Sequence, residues 1–589
     1  MPLTEFSQPQ PWFSRSKRPV QASERLRESG RTRIQIHGIV VVLLILGIWL
    51  LVAFLIDPRG EFPLNDDWCY AAAVKALREG AGLKLQGCVS TNIVAQVVWG
   101  ALFCLPFGFS FTALRISTLT LGVIGAVGLY GLLRELDADQ ETALFGALLL
   151  AFNPLYLVLS YTFMPDVPFV AVSISSFYFL VRGLKRDRWP EVAAGLCLAC
   201  AALLIRQNGL AIFIAFGLAY LAKSGLRLRT VLLAVVSVSV GGAVQLLWQL
   251  WLKHKDMLPS SYSKQADWVL STHLHSWRAA EPIALALIII PVYVGLFLLP
   301  LLLFVGKQAL AEFNQSRLLT WAAFGFALVA AWTLRYRRMP LLQNVFYDFG
   351  LGPPTLRDTY ILTLPSLPTA GKSFWSVVTF LGFLGAVVWV QATLVAAAKA
   401  LKLLPFPAGR RVPLVLLLAA GFIYFVPVAL LTFYGRSFDR YLLFLMPLAI
   451  AIIVLLLRDA GPGHAVPSLR LLASASLILY AAFAIAGTHD YLAWNRARWQ
   501  GLNDLEREQR VSADDIDGGY EFNSWYLYDS RYLPTPGKSG WYVFGDDYVV
   551  TFGPLPHYAE FKRYPFRRWL PPSQGNILVL RRSTPVSFR

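Results

Sequence analysis

The chain has 589 residues, of which 56% are hydrophobic and only 15% are charged, and its formal net charge is +18 at pH 7. A soluble protein of this length would need far more polar surface. The surplus of cations could suggest nucleic-acid binding, but Lys and Arg cluster in short segments between apolar runs, as they do where they set membrane topology. We therefore expect an integral membrane protein that binds membrane lipids and no nucleic acid.

Long apolar runs follow one another along most of the chain, and runs of about 17–25 residues are typical of membrane-spanning helices. A spanning barrel would instead alternate apolar and polar residues. We predict an all-α polytopic membrane fold with about 13 transmembrane helices. The segment 93–111 is apolar but interrupted by Pro106 and Gly108, which favours a re-entrant or juxtamembrane helix. The predicted spans are approximately 36–56, 114–133, 142–161, 168–183, 191–206, 209–222, 230–250, 282–304, 318–334, 374–398, 412–433, 441–457 and 468–487.

The distribution of Lys and Arg predicts the orientation of these spans, because cytoplasmic loops carry the positive excess. We expect a cytoplasmic N-terminus and an exterior C-terminus, in a bacterial inner (plasma) membrane. No cleavable signal pattern precedes the first span, so we expect it to remain as an anchor. The tail is long enough for a small exterior (periplasmic) α+β domain. The predicted organisation is a basic cytoplasmic segment at 1–35, a transmembrane domain at 36–487 with exterior loops 57–113, 251–281 and 335–373, and an exterior C-terminal domain at 488–589.

Two acidic motifs are predicted on the exterior side of the membrane. Asn65-Asp66-Asp67-Trp68 follows the first span, and Met164-Pro165-Asp166-Val167-Pro168 ends another. A carboxylate could act as a general base, bind a cation or lie solvated in a loop, and Asp166 could also cap the next helix. Carboxylates at a membrane boundary are costly to dehydrate, so two on one face favour a functional site.

Arginines that topology does not require lie on the same predicted side. They are the cluster Arg335-Tyr336-Arg337-Arg338, Arg206 in a tight turn, and Arg440 in Asp439-Arg440-Tyr441. The planar guanidinium suits phosphate, although cations at helix ends also snorkel to the interface. Exterior carboxylates and arginines together suit a lipid-linked phosphate substrate, with a base for the acceptor and positive charge for the leaving phosphate.

The cysteines and histidines give weaker indications of a functional site. Cys69 and Cys88 both fall in the first exterior loop, where an oxidising compartment would permit a disulfide, but sequence leaves their pairing open. Cys197-x-x-Cys200 is surrounded by small residues, which favours helix packing over a redox motif. His273 and His275 share a loop without an accompanying acidic cluster, so we predict no metal and no cofactor.

At this point the motifs resemble those of the polytopic C-class glycosyltransferases, in the branch of the protein O-mannosyltransferases and the lipid A aminoarabinose transferase. Asp66-Asp67-Trp68-Cys69-Tyr70-Ala71 resembles the first-loop Asp-Glu-x-x-Tyr-Ala motif of that branch. Ala113-Leu114-Arg115-Ile116-Ser117 resembles the start of its next helix, and Tyr161 to Pro168 resembles its second-loop acidic segment. The resemblance covers roughly residues 35–210 and implies catalytic roles for Asp66 and Asp166, with Asp67 and Tyr70 in support.

The resemblance implies inverting transfer of a sugar from a polyprenyl-phosphate donor to a hydroxyl of a glycan, lipid or protein. Where the family often has Lys-Pro-Pro, this chain has Ser90-Thr91-Asn92, so the donor phosphate is expected to meet other cations. The candidates are Lys84, Arg206, Arg335, Arg337, Arg338 and Arg440. A transporter or flippase of a lipid-linked glycan, or a glycan polymerase or ligase using a diphosphate-linked donor, is the alternative function. We also expect the exterior tail, residues 488–589, to lie above the cavity and help shape the acceptor site, because it contains aromatic residues and the polar stretch 517–523. The alternative is a domain that only stabilises the membrane part.

Overall fold

The computed structural model describes residues 38–259, 280–433, 437–457 and 466–583. The chain divides into two units, Met1–Ile48 and Trp49–Arg589, and residues 38–48 of the first are helical. The helices are α1 (Gly38–Ile56), α2 (Asp67–Arg78), α3 (Val94–Phe103), α4 (Phe111–Glu135), α5 (Gln140–Ala151), α6 (Pro154–Ser160), α7 (Asp166–Arg186), α8 (Trp189–Ile205), α9 (Leu210–Ser224), α10 (Leu228–His254), α11 (Ala280–Phe313), α12 (Arg317–Leu334), α13 (Lys372–Ala400), α14 (Ala408–Phe433), α15 (Leu445–Leu457), α16 (Pro467–Asn503) and α17 (Tyr520–Leu527). The strands are β1 (Phe346–Tyr347), β2 (Gly350–Leu351), β3 (Ile516–Asp517), β4 (Tyr548–Thr551), β5 (Tyr558–Trp569) and β6 (Pro572–Arg582).

Within those described residues, ten helices are long and apolar enough to cross a membrane, or eleven if one bent pair counts as a span. The chain is thus an integral membrane protein, and the predicted helical fold with a small C-terminal sheet is confirmed. The predicted spans 191–206 and 209–222 correspond to α8 and α9, which have only 17 and 15 residues. The count of about 13 spans stays a prediction.

The bent pair is α5 and α6, which meet at 61° where the sequence predicts one straight span over 142–161. The side chain of Asn153 accepts hydrogen bonds from the backbone N–H groups of Leu155 and Tyr156, and Pro154 begins α6. An Asn cap followed by Pro starts a new helix, because Pro removes the N–H that would have continued the old one. The short helix α6 then leads into the second acidic loop.

The central helices pack closely through small residues. A Cβ atom at Gly295 of α11 would overlap the backbone of Gly385 and Ala386 in α13. Small residues at such crossings let two helix backbones approach, which is a common way for membrane helices to associate.

The C-terminal sheet has the strand order β3-β4-β6-β5, and its β5–β6 hairpin is antiparallel. Val549, Leu578 and Leu580 are buried in its small core. The sheet packs on the distal half of α16, where Gly501 lies close to Tyr564 and Val579. Helix α16 runs without a break through residue 488, so the predicted domain limit lies inside a continuous helix.

Candidate functional site

The first acidic loop is held in place by Arg115 of α4. This buried side chain donates hydrogen bonds to the carbonyl oxygens of Gly60 at 2.6 Å and Pro58 at 3.2 Å, and also to that of Phe62. One guanidinium therefore provides hydrogen bonds for three backbone carbonyl groups that lie outside any helix or strand. The loop ends at Asp66, immediately before α2, so its path sets where the first acidic residue lies.

Asp67 begins α2 and joins the two acidic loops. Its carboxylate accepts hydrogen bonds from the backbone N–H of Leu64 at 2.6 Å and of Phe163 at 3.2 Å, and its side chain is buried. Burial raises the pKa of Asp67 to about 7, against the opposing effect of Arg115. These contacts make Asp67 a structural link between the loop of Asp66 and the loop that precedes Asp166.

Asp66 faces a cavity of about 370 Å³, and its side chain is 30% exposed. Its Oδ2 accepts a hydrogen bond from Arg440 Nη2 at 2.8 Å, and its Oδ1 accepts one from the Tyr520 hydroxyl at 2.7 Å. Residues from four separate parts of the chain line this cavity, among them Asp66, Tyr70, Ser90, Arg440, Tyr441 and Tyr520. A partly exposed carboxylate and a buried guanidinium thus share one polar pocket.

Arg440 is placed by its neighbour Asp439, which is completely buried. The Asp439 carboxylate accepts hydrogen bonds from the backbone N–H groups of Val345, Phe346 and Arg440, so it ties the 439–444 turn to β1. Within the described part of the chain, Arg440 Nε and Nη1 are buried and have no hydrogen-bond partner. Buried donors without a partner are costly, so these two nitrogens point to a ligand that is an acceptor.

Asp166 and Arg206 form a second buried pair beside the cavity. Arg206 Nη2 donates to Asp166 Oδ1 at 2.8 Å, and both side chains are at least nine-tenths buried. Among the described residues, Asp166 Oδ2 and Arg206 Nε have no hydrogen-bond partner. The guanidinium carbons of Arg206 and Arg440 each lie 5.6 Å from the ring centroid of Tyr441, so the two arginines flank one aromatic ring.

Tyr70 connects the two pairs electrostatically. Burial raises the pKa of the Tyr70 hydroxyl, the charge of Asp66 adds to the rise, and Arg440 and Arg206 oppose it. Asp166 also acts on this group. The Tyr70 hydroxyl therefore lies within electrostatic range of both carboxylates and both arginines.

The turn that carries Arg206 is fastened to the stretch that replaces Lys-Pro-Pro. Asn92 is buried and donates to the carbonyl oxygen of Leu203 at 2.6 Å and to Gln245 at 2.7 Å, while Gln207 donates to the carbonyl oxygen of Ser90 at 3.2 Å. This stretch brings no cation to the pocket; its contacts hold the Arg206 turn against the cavity wall.

The remaining predicted phosphate ligands lie elsewhere. Lys84 is exposed, as are Arg335, Arg337 and Arg338. Arg335 stacks on Trp332 with 3.6 Å from its guanidinium carbon to the ring centroid, and Arg338 Nε donates to Ser376 Oγ at 2.8 Å. Neither Trp332 nor Ser376 lines the Asp66 cavity.

Cys69 and Cys88 form a disulfide, and both residues line the cavity. The bond joins α2, which follows Asp66, to the segment that leads to Ser90. The pairing that the sequence leaves open is therefore present in the fold, and it closes one wall of the pocket.

No pattern in the sequence marks Tyr520 as a partner of Asp66. The only signal was the polar stretch 517–523, which contains Tyr520 but does not indicate which residue faces the cavity. In the part of the chain that the structure describes, no group of three or more His, Cys, Asp or Glu side chains could hold a metal ion. His273 and His275 lie outside the described residues.

The fold and this pocket define a polytopic helical membrane protein with a charged cavity at one end of its helices. Residues 96–249 match the family model described as dolichyl-phosphate-mannose-protein mannosyltransferase. Over that segment, the match confirms the resemblance to the polytopic C-class glycosyltransferases. It includes Asp166 and Arg206 and begins after Asp66 in the chain.

Two crystal structures of ArnT from Cupriavidus metallidurans align with 92% of this chain. The structure bound to undecaprenyl phosphate has 13% identity, a TM-score of 0.41 and 97% of its own chain covered; the apo structure has 12%, 0.36 and 98%. Both TM-scores are low, so neither alignment bears on the fold or function of this chain. No curated protein matches the chain.

Proposed function

We propose that this protein is an inverting glycosyltransferase that moves a sugar from a polyprenyl-phosphate donor to a hydroxyl acceptor at the outer face of the membrane. The proposal rests on the hydrogen bonding of Arg440. It donates to Asp66 in the cavity while its Nε and Nη1 remain buried without a partner among the described residues. A phosphate supplies oxygens for such donors, and the adjacent carboxylate is the base that an acceptor hydroxyl needs.

In the proposed reaction, the acceptor hydroxyl oxygen attacks the anomeric carbon of the donor sugar. The bond between that carbon and the phosphate oxygen breaks, and the hydroxyl proton passes to Asp66. The leaving polyprenyl phosphate carries the displaced electron pair and is stabilised by Arg440 and Arg206. One displacement on the face opposite the phosphate inverts the anomeric centre, and phosphate needs no general acid to leave.

Donor binding would also prepare the base. Arg440 is paired with Asp66 in this structure, and a donor phosphate would compete for the same guanidinium. The competition would release lone pairs of the Asp66 carboxylate for the acceptor. We assign Asp166 the task of holding Arg206 in place, and Asp67 that of supporting the loop.

The family match over residues 96–249 supports a lipid-phosphate sugar donor, since dolichyl phosphate mannose is a sugar on a polyprenyl-type monophosphate. A flippase of a lipid-linked glycan is the alternative from another class, and a polymerase or ligase would use a diphosphate donor. Among the described residues, two buried nitrogens of Arg440 and one of Arg206 have no hydrogen-bond partner, and a phosphate could accept from them.

The test is turnover by the purified protein in lipid nanodiscs, with matched polyprenyl monophosphate and diphosphate sugars and with glycan, lipid and peptide acceptors. We expect release of polyprenyl phosphate from the monophosphate donor and an inverted linkage in the product by NMR. Asp529→Asn is the matched control for Asp66→Asn, because Asp529 lies at the surface beside Arg531. Retention at the anomeric carbon, or movement of intact donor across a liposome membrane without bond cleavage, would overturn the proposal.

A further inference from the structure

The C-terminal part of the chain reaches the proposed base directly. The hydroxyl of Tyr520, the first residue of α17, donates a hydrogen bond to Asp66 Oδ1 at 2.7 Å across 454 residues of sequence. Burial raises the pKa of the Tyr520 hydroxyl, and the negative charge of Asp66 raises it further. The phenol therefore keeps its proton and acts as a donor to the carboxylate.

The residue next to Tyr520 holds the backbone beside Asp66. Glu521 is completely buried, and its carboxylate accepts hydrogen bonds from the backbone N–H of Asn65 at 3.0 Å, from Arg498 Nη1 at 2.7 Å and from the Thr355 hydroxyl at 2.5 Å. Tyr520 and Glu521 thus form hydrogen bonds with two consecutive residues of the acidic loop, Asp66 and Asn65. A contact that only filled space would not need two adjacent polar residues.

The backbone before α17 accommodates this approach through glycine. Gly519 has a φ of +88°, in the left-handed region that residues with side chains rarely adopt. A Cβ atom there would also press on the Thr355 carbonyl oxygen and on Arg498. Glycine at position 519 is therefore required for α17 to begin against the acidic loop.

We propose that Tyr520 is a positioning residue that orients the Asp66 carboxylate for proton transfer, so that the C-terminal domain completes the active site. This inference rests on the proposed function. Arg440 binds Oδ2 and Tyr520 binds Oδ1, which fixes the plane of the carboxylate at both oxygens. A carboxylate has about four lone-pair positions, so the acceptor hydroxyl can still bind.

The geometry suits a positioning role because a base must be held close to its productive orientation. The titratable groups that face Asp66 are Arg440, Tyr520, Tyr70 and Tyr360. During turnover the donor phosphate would compete with Asp66 for Arg440. Tyr520 would then be the contact that keeps Asp66 oriented while the acceptor reacts.

The test variant is Tyr520→Phe, which removes the hydroxyl and keeps the ring that packs edge-on to Trp68 and Trp541. Its matched control is Tyr528→Phe, since Tyr528 also packs on Trp68 but is not among the residues that line the cavity. We expect kcat to fall about tenfold in Tyr520→Phe, with the donor KM unchanged. The acid limb of the pH–rate profile should move to higher pH, because the charged carboxylate loses a hydrogen bond. Tyr528→Phe should match the wild type.

A second measurement does not depend on turnover. The Asp66 side chain is 30% exposed, so it can react with a water-soluble carbodiimide, and the modified peptide can be quantified by mass spectrometry at a fixed pH. We expect labelling of Asp66 to rise severalfold in Tyr520→Phe, because removing the hydroxyl leaves Oδ1 without its hydrogen bond, and to stay unchanged in Tyr528→Phe. Unchanged labelling in Tyr520→Phe would overturn the inference. Raised labelling in a protein that cleaves no donor would instead reject the proposed function and keep the contact.

Discussion

Arg440 donates a hydrogen bond to Asp66 at 2.8 Å, although the two residues are 374 positions apart in sequence. The pair joins the first acidic loop to the turn before α15 and places a cation beside the proposed base. The arginine side chain is 6% exposed and the aspartate side chain 30% exposed. The Arg440 guanidinium therefore lies in the wall of the pocket, whereas the Asp66 carboxylate remains accessible from inside the pocket.

The Asp66→Asn variant tests the base. The amide keeps the size of the side chain and can still accept a hydrogen bond, but it cannot take the acceptor proton. Loss of a general base typically lowers the rate by about 10²–10⁴-fold. We expect kcat to fall in that range with little change in donor KM. Near-normal turnover in Asp66→Asn would remove Asp66 from the mechanism.

Arginine variants distinguish the two basic sites. We expect Arg440→Ala to raise the donor KM or lower kcat, because losing a charge-assisted hydrogen bond costs about 1.5–3 kcal/mol. The triple variant of Arg335, Arg337 and Arg338 should have a smaller effect, since these side chains are exposed and the contacts of Arg335 and Arg338 lie away from the cavity lining. Steady-state kinetics over a range of donor concentrations gives both constants. The reverse order of effects would place the donor phosphate at the 335–338 cluster.

The buried carboxyl group of Asp67 should make the free energy of unfolding depend on pH. Burial raises the pKa of Asp67 from 3.8 to about 7, so the folded state binds its proton more tightly than the unfolded state. The stabilisation is complete below pH 3.8 and is lost as the pH rises towards 7, by up to about 4 kcal/mol because one pKa unit corresponds to about 1.4 kcal/mol.

The comparison is the unfolding midpoint of wild type and Asp67→Asn between pH 5 and pH 8. Asparagine lacks the second acceptor for the Phe163 N–H, which lowers the stability of the variant equally at every pH. The variant should nevertheless lose less stability than the wild type as the pH rises. Parallel curves for the two proteins would contradict a raised pKa of Asp67 in the folded state.

The Cys69–Cys88 disulfide should contribute to the stability of the pocket. The two cysteines are 19 residues apart, and closing a loop of that order stabilises by about 3 kcal/mol in the chain-entropy model. Replacing both by Ser should lower the thermal midpoint and make it insensitive to reductant, whereas reductant should lower that of the wild type. Intact-mass analysis of protein isolated without reductant should find the two thiols oxidised; two free thiols would refute the bridge.

Glu521 should matter for folding as well as for the site. It forms an ion pair with Arg498 in which both side chains are 0% exposed. Removing one partner of a buried pair costs about 3–5 kcal/mol, because the other charge is left without compensation. We expect Glu521→Ala to lower the free energy of unfolding by that amount. Glu560→Ala is the matched control, since Glu560 pairs with Arg563 at the surface and should change little. Equal stability of the two variants would show that the buried pair is dispensable.

Local sequence patterns were sufficient to predict the helical membrane fold, and the roles of the acidic residues stay a prediction. Hydropathy is a property of consecutive residues, so the apolar runs predicted most spans, and the motif containing Asp66 and Asp67 could be recognised within a few positions. The bend between α5 and α6 was missed, although Asn153-Pro154 is a helix-start signal, because the hydropathy of the segment stays high through the break.

Only the tertiary structure decided which polar residues share the pocket. From the sequence, six cations were candidates for binding the donor phosphate. In the fold, Arg440 and Arg206 lie in the cavity region, whereas Lys84 and the 335–338 cluster are exposed. Tyr520 reaches Asp66 only because α16 carries the chain back to the acidic loop and Glu521 fastens α17 there. Such contacts join residues hundreds of positions apart. They depend on how helices pack and on which buried polar groups find partners, and no short window of sequence contains that information.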